Sequence, residues 1–164
     1  MRIDARTLGS ALLMAGTVLA AVTLVSAASF AGECPADQVR ADGGGQPPGA
    51  MLPRDVTDTV LASIDVASEP VQIDGRLFRL RRLVIQPGGI VPWHEHKDRP
   101  AIIYTVEGSI TEYASTCAVP IVHNAGDVSV ETAAVAHWWQ NTGSVPVVLL
   151  SADLLHVESD PHMM

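Results

Sequence analysis

The sequence predicts an all-β domain, either a barrel or a sandwich, behind an export signal. From Thr57 onward, short runs of β-branched and apolar residues are separated at regular intervals by turns containing Gly, Pro, Asn or Asp. No stretch of this region has the apolar spacing of an amphipathic helix. About nine short strands in one domain are typical of β-barrels and sandwiches.

The turns predict where each strand begins and ends. Asp74-Gly75 predicts a tight hairpin, and Pro87-Gly88-Gly89 is expected to end one strand before the next begins. The predicted strands are residues 59–66, 77–86, 90–96, 101–107, 109–115, 119–123, 127–131, 136–141 and 145–155.

Residues 1–31 have the pattern of a secretory signal peptide. Arg2 and Arg6 precede an almost wholly apolar run, and small residues before Ala31 predict cleavage after it. An uncleaved anchor is the alternative, because the run approaches the ~20 residues that span a bilayer. Residues 32–56, rich in Gly and Pro, predict a flexible arm. Residues 57–156 would form the barrel and 157–164 a tail, in a periplasmic or secreted protein.

The composition limits the partners of this protein. The formal net charge is −8, and Lys97 is the one lysine of the chain. An acidic surface of this kind argues against nucleic-acid binding. A small-molecule ligand is expected, with no membrane association after cleavage. Trp93 and Trp138 have outward strand parity, which predicts a homodimer interface.

The two cysteines, Cys34 and Cys117, would both lie in an oxidising compartment. A disulfide between them is therefore predicted, and two unpaired thiols are the alternative. The bond would tie the N-terminal arm to the barrel.

Three histidines form the candidate functional group. His94 and His96 lie two residues apart in a strand-like run, so their side chains point the same way. A third histidine on a neighbouring strand, His137, would complete one face of a metal's coordination sphere. Imidazole ligands favour Fe, Ni, Cu and Zn over Mg and Ca.

Two motifs resemble those of the cupin superfamily. In the first, five residues separate Gly88 from the His94-x-His96 pair, Ala101 occupies a position where the family commonly has glutamate, and Gly108 closes the motif. The resemblance covers residues 57–155 and implies a jelly-roll β-barrel.

The second motif runs from Gly126 to Asn141. Thr132 stands where a proline is usual, Ala134 where a glycine is usual, and His137 takes the histidine position. This resemblance places His137 beside the first histidine pair as a metal ligand.

The family's metal sites commonly add a glutamate to three histidines. Ala101 removes it here, and strand parity turns Glu95 away from the neighbouring histidines. Asp98, in the following turn, is the alternative fourth ligand.

Strand parity also predicts what surrounds the metal. Trp139 and Asn141 share the inward face of His137, where Trp139 would wall a pocket or pack in the core and Asn141 would orient a ligand or close a turn. Arg79 and Arg81 share a face, expected to be a solvated edge, with an anion-binding pair as the alternative. Surface positions are predicted for His123, His156 and His162.

The resemblance implies a three-histidine non-haem dioxygenase acting on a small anionic or oxygenated compound. Iron is the expected metal, with Ni, Cu, Zn or Mn as alternatives. A non-catalytic module that binds a small ligand or metal, and a metal-dependent isomerase or lyase acting on a sugar-like substrate, are the competing hypotheses.

Overall fold

The protein is described here from a computed structural model, which covers residues 32–157. The predicted signal peptide, residues 1–31, lies outside the described residues, as does nearly all of the predicted tail. Within residues 32–157 there are two short 3-10 helices and no α-helix. No helix in this range is long and apolar enough to cross a membrane. The all-β class is confirmed. The strands are β1 (Arg54–Asp65), β2 (Arg76–Glu95), β3 (Ala101–Glu107), β4 (Ser109–Ala114), β5 (Ile121–Asn124), β6 (Val128–Glu131), β7 (Ala136–Gln140) and β8 (Val147–His156).

The strands form one antiparallel sheet that curls into a nearly closed barrel. Their order is β5-β4-β7-β2-β8-β3-β6, and β1 also pairs with β2. In a flat sheet of this order, β7 and β6 would lie ~19 Å apart, since neighbouring strands are ~4.8 Å apart. Yet Nε2 of His137 on β7 lies 3.6 Å from Oε1 of Glu131 on β6. Curling of the sheet thus brings the side chains of distant strands to one interior point.

The long strand β2 connects two parts of the barrel wall. The predicted break at Pro87-Gly88-Gly89 is wrong, because β2 continues through it. Gly88 adopts a φ of +78°, and the pairing with β1 shifts register between Arg54 and Val56. Such a bulge bends a strand without ending it. As a result, the first half of β2 pairs with β8 and the second half pairs with β7.

The connection from β1 to β2 is longer than the tight hairpin predicted at Asp74-Gly75. Because β1 ends at Asp65 and β2 begins at Arg76, residues 66–75 form the connection. A 3-10 helix, Val66–Ser68, begins it, and the Asp65 side chain caps this helix by accepting a hydrogen bond from the Ala67 amide. Because this cap favours the 3-10 turn, the chain leaves β1 well before the Asp-Gly pair.

The interior of the barrel is apolar around its centre. Alternating residues of β2 and β8 point inward, as the burial pattern of each strand shows. The core consists of Leu83, Ile85, Val91, Ala101, Ile103, Ile110, Trp139, Val147 and Leu149.

The N-terminal arm runs along the outside of the barrel. The predicted disulfide between Cys34 and Cys117 is present, and backbone hydrogen bonds link Gly32 to Val122 and Gly45 to Ser115. In the chain-entropy model, closing a loop of this length stabilises the fold by ~3–5 kcal/mol. The arm is therefore bound to the barrel at several points.

The arm also covers the outward tryptophans. Trp138 stacks on Tyr113, with ring centroids 4.1 Å apart. Gly49 packs so closely on the Trp138 indole that a Cβ atom there would lie 2.3 Å from it, and the Trp93 amide donates to the Ala50 carbonyl. Both tryptophans are half-buried within the chain itself.

Candidate metal centre

The fold brings together the three histidines predicted from the sequence. His94 lies at the end of β2 and His96 directly follows this strand. His94 pairs directly with His137 on β7. The Nε2 atom of His137 lies 3.0 Å from that of His96 and 3.2 Å from that of His94. His96 and His137 are buried, and His94 is partly buried.

Each of these imidazoles has a hydrogen-bond acceptor at its Nδ1 atom. A neutral imidazole that donates its Nδ1 proton keeps the lone pair on Nε2. In all three rings that lone pair faces the common centre. The acceptors for His94, His96 and His137 are the Pro92 carbonyl, the Arg99 carbonyl and the Glu112 carboxylate, at 2.8, 2.8 and 2.5 Å.

The fourth member of the group is Glu131, which the sequence analysis missed. Its Oε2 atom lies 2.7 Å from Nε2 of His96. One ligand atom from each of the four side chains lies within 4.8 Å of all the others. Glu131 is buried, and its Oε1 atom has no hydrogen-bond partner among the described residues.

The position of Glu131 explains how the barrel retains a carboxylate here. Across β3 and β6, Ala101 pairs with Glu131. Cross-strand partners share one face of a sheet, so Glu131 points into the space next to the Ala101 methyl group. The neighbouring strand thus supplies the carboxylate that motif 1 lacks. A correct prediction of this strand register would have identified Glu131.

Asp98, the alternative fourth ligand, lies elsewhere. It forms an ion pair with Arg76, and its Oδ2 atom lies 2.6 Å from Nδ1 of His156. Its side chain is half exposed. The prediction that Asp98 could reach the histidines is therefore wrong, because the turn directs it outward.

The donor geometry fits a divalent transition metal. Two imidazole nitrogens that bind one ion at ~2.1 Å and a right angle are ~3.0 Å apart. The observed separations of 3.0 and 3.2 Å agree with this value. A buried carboxylate oxygen without a partner is costly, and lone pairs that face one another repel. A shared cation removes both penalties.

The charges in the group act in opposite directions on its histidines. Burial, followed by the neighbouring rings of His137 and His96, lowers the pKa of His94 well below its ordinary value. Burial alone would also lower the pKa of His137, but the carboxylates of Glu131 and Glu112 outweigh it and raise that pKa. In the metal-free protein, a proton therefore competes for His137 at higher pH than for an ordinary histidine.

A small cavity of about 30 Å³ adjoins the histidines. Trp139 is buried and forms part of its wall, and its Nε1 atom lies 3.1 Å from Nδ1 of His137. The other lining residues are Arg81, Leu83, Val91, His94, His96, Ile103, Glu131, Leu149 and Ser151.

Asn141 is buried but closes a turn. Its Nδ2 atom donates to the carbonyls of Ile85 and Val145, at 3.0 and 2.8 Å, and its Oδ1 atom accepts from the Gly143 amide. Of its two sequence interpretations, the structure matches the turn residue.

Three residues predicted at the surface lie inside the barrel. Arg79 and Arg81 are each 5% exposed and point into the interior next to Asp153. His123 is 1% exposed and hydrogen-bonded to Glu112. Alternation along a strand shows which residues share a face, but polar composition does not show which face is solvated.

Comparison with known families supports the resemblance to cupins. Residues 81–153 match the family model described as "Cupin domain". The resemblance of the two motifs to the cupin superfamily is thus confirmed over these residues. No curated protein matches the sequence.

The chain is similar to several solved structures, one of them with a TM-score above 0.5. A predicted oxalate decarboxylase from Thermotoga maritima is 21% identical, with a TM-score of 0.53, covering 71% of this chain and 97% of that one. A Klebsiella pneumoniae protein with a double-stranded β-helix domain is 13% identical, with a TM-score of 0.49, covering 74% and 90%. The Schizosaccharomyces pombe Cnp3 cupin domain is 13% identical, with a TM-score of 0.48, covering 61% and 64%.

Proposed function

We propose that this protein is an exported cupin dioxygenase that acts on a small anionic or oxygenated compound. One divalent metal ion, iron in the first instance, would be held by His94, His96, Glu131 and His137. The observation that carries the proposal is the convergence of three Nε2 lone pairs on a buried carboxylate whose Oε1 atom has no partner. Bound iron would supply a Lewis acid with open positions for substrate and dioxygen.

The cavity supports a small ligand. A cavity of about 30 Å³ holds only a few non-hydrogen atoms, since one water needs roughly 10–15 Å³ by the same measure. Larger substrates would require side chains to move. The substrate class is therefore a small acid or oxygenated compound of a few carbon atoms.

Arg81 supports an anionic ligand. Its guanidinium contacts Asp58 and lies 3.1 Å from Asp153, but its buried Nε atom has no hydrogen-bond partner among the described residues. Arg81 and Ser151 line the cavity together with Glu131 and two of the histidines. An N–H donor of this kind favours a carboxylate or another oxygen anion.

The cavity offers little support for isomerase or lyase chemistry. Such reactions need a proton-transfer group beside the substrate. Among the described lining residues, the carboxylate and imidazole groups all belong to the metal group. A non-catalytic module that binds a small anion remains the second candidate, and the same residues support it.

The location and assembly are further proposals. The disulfide supports a periplasmic or secreted protein. An apolar band on the outer sheet face is a better candidate for the homodimer interface than the half-buried tryptophans. Its exposed residues are Ile64, Phe78, Leu80, Ile102 and Val130. Analytical ultracentrifugation should show a dimer, and a monomer at micromolar concentration would rule this interface out.

Oxygen uptake tests the proposed activity. Iron-loaded protein is incubated with a panel of small carboxylic acids, including oxalate, the compound named for the Thermotoga protein. We expect uptake with one of them, its loss in Glu131→Gln, and its retention in Glu95→Gln, a matched change at an exposed position. Binding of an acid without oxygen uptake would indicate the binding module instead.

A further inference from the structure

Behind His137 lies a buried pair of side chains that the proposed function does not use. Glu112 on β4 accepts a hydrogen bond from Nδ1 of His137 at 2.5 Å through Oε1. Its Oε2 atom accepts from Nε2 of His123, on β5, at 2.7 Å. Glu112 is 3% exposed, and both histidines are almost fully buried. The three groups form a continuous chain that leads away from the metal group.

The carboxylate of this chain is held in its charged form. Both of its oxygen atoms accept hydrogen bonds from ring nitrogens, one from His137 and one from His123, so neither oxygen needs to carry a proton. A full negative charge therefore lies against the outer edge of the His137 ring.

We propose that Glu112 is a positioning residue for the metal centre, and that its charge strengthens His137 as a ligand. By accepting the Nδ1 proton, Glu112 keeps the His137 lone pair on Nε2 and increases the electron density there. His123 occupies the second carboxylate oxygen and so fixes the direction of the first. The inference rests on the proposed function, because it presupposes a metal at Nε2 of His137.

The packing around His123 fixes the position of this ring and, through it, that of the Glu112 carboxylate. Its ring stacks on Trp139, with centroids 4.6 Å apart and planes 24° from parallel. Trp139 in turn walls the cavity and contacts His137. The position of the Glu112 carboxylate is thus determined from both sides.

Glu112→Gln separates charge from geometry. The amide oxygen can still accept from His137, and the amide nitrogen can donate to Nε2 of His123 once that ring moves its proton to Nδ1. Nδ1 of His123 has no partner among the described residues, so this change of tautomer breaks no hydrogen bond in that part of the chain. The variant therefore keeps both contacts and removes only the charge.

The test is anaerobic calorimetric titration of Fe²⁺ into metal-free wild type, Glu112→Gln and the control Glu107→Gln, which makes the same charge change at an exposed position. We expect Glu112→Gln to bind iron ~10–100-fold more weakly and the control to match wild type. The reduction potential of bound iron should rise in Glu112→Gln, because less electron density reaches the ferric state. A residue that acts only by packing would change neither quantity.

Two results would overturn the inference in different ways. If Glu112→Gln binds iron like wild type with an unchanged potential, Glu112 does not position the centre. If wild type binds no iron, the proposed function fails first. Should Glu112→Gln not fold, long-range ¹H–¹⁵N NMR of the zinc-loaded wild type decides. A protonated Nδ1 on His137 is expected there, and an unprotonated one would overturn the inference.

Discussion

Two buried polar clusters lie inside this barrel, and they differ in how their charges are satisfied. In one, Arg79 donates two hydrogen bonds to the Asp153 carboxylate, at 2.9 and 2.8 Å, and Arg81 lies 3.1 Å from the same carboxylate. In the other, the histidine Nε2 atoms and the Glu131 carboxylate face one another, and among the described residues Glu131 forms ion-pair contacts only with histidines. The Asp153 carboxylate of the first cluster is neutralised by arginines of the protein, whereas the Glu131 carboxylate and the facing lone pairs of the second would need an added cation.

This difference shows that burial of charge alone does not mark a functional site. Both clusters are almost fully buried, and both contain a carboxylate. The distinguishing feature is where the histidine rings carry their protons. Each Nδ1 atom has an acceptor on the side away from the centre, which leaves the Nε2 lone pairs facing the centre. Removing one partner should therefore change stability in the arginine cluster and metal affinity in the histidine cluster.

The largest expected effect is on the arginine cluster. Arg79→Met leaves Asp153 buried with fewer partners, so the free energy of unfolding should fall by ~3–5 kcal/mol. Urea denaturation of the metal-free protein measures this. Arg82→Met, at an exposed position on the same strand, should change stability by less than about 0.5 kcal/mol. An equal loss of unfolding free energy in the two variants would show that the Arg79–Asp153 ion pair does not stabilise the fold.

A second effect concerns pH in the metal-free protein. Since the folded state lowers the pKa of Glu112 from 4.5 to about 2, this group contributes stability above pH 4.5 that is lost as pH falls towards 2. The full contribution is on the order of 3 kcal/mol. The stability difference between wild type and Glu112→Gln should shrink across this range. A difference independent of pH would show that the Glu112 charge is not stabilised by folding.

A third experiment moves the metal-binding carboxylate from position 131 on β6 to position 101 on β3. Glu131→Ala should weaken metal binding by at least ~100-fold, or ~2.7 kcal/mol. Adding Ala101→Glu should recover most of the loss, because these two positions face each other in the β3–β6 register. Calorimetric metal titration measures both variants. If the double variant binds no better than Glu131→Ala, the cross-strand replacement is wrong.

The smallest expected effect is at the wall of the cavity. Trp139→Phe keeps an aromatic ring but removes the Nε1–H group near His137. Because Nδ1 of His137 already donates its proton to Glu112, the Trp139 N–H is only a weak polar neighbour of the ring. Metal affinity should therefore fall by less than about tenfold, or ~1.4 kcal/mol. A loss as large as that of Glu131→Ala would place Trp139 among the residues on which the centre depends.

The sequence predicts the parts of this site that depend on local geometry. Strand alternation places His94 and His96 on one face, and puts Trp139 on the inward face of its strand. The identity of the carboxylate depends on which strands pair and in what register, and short β patterns do not encode this. The sequence analysis therefore does not identify Glu131, although it identifies Ala101, the cross-strand partner, as the position that lacks the usual glutamate.

Polar residues inside the barrel were also hard to predict. Arg79, Arg81 and His123 look solvated in sequence because the pattern does not show which strands lie next to theirs. Asp153, for example, lies opposite Arg79 on β8. Such ion pairs become visible only once the pairing and register of the strands are known. The break predicted at Pro87-Gly88-Gly89 failed for a related reason, since the same glycines serve a turn or a bulge depending on the neighbouring strand.

The most direct test of the central claim is metal content. Protein purified without chelators from its own compartment should contain close to one transition-metal ion per chain by elemental analysis, and His96→Ala should contain almost none. A folded wild-type protein that contains no such metal and takes none up on titration, or a His96→Ala variant that retains it, would contradict the assignment of these four side chains as a metal centre.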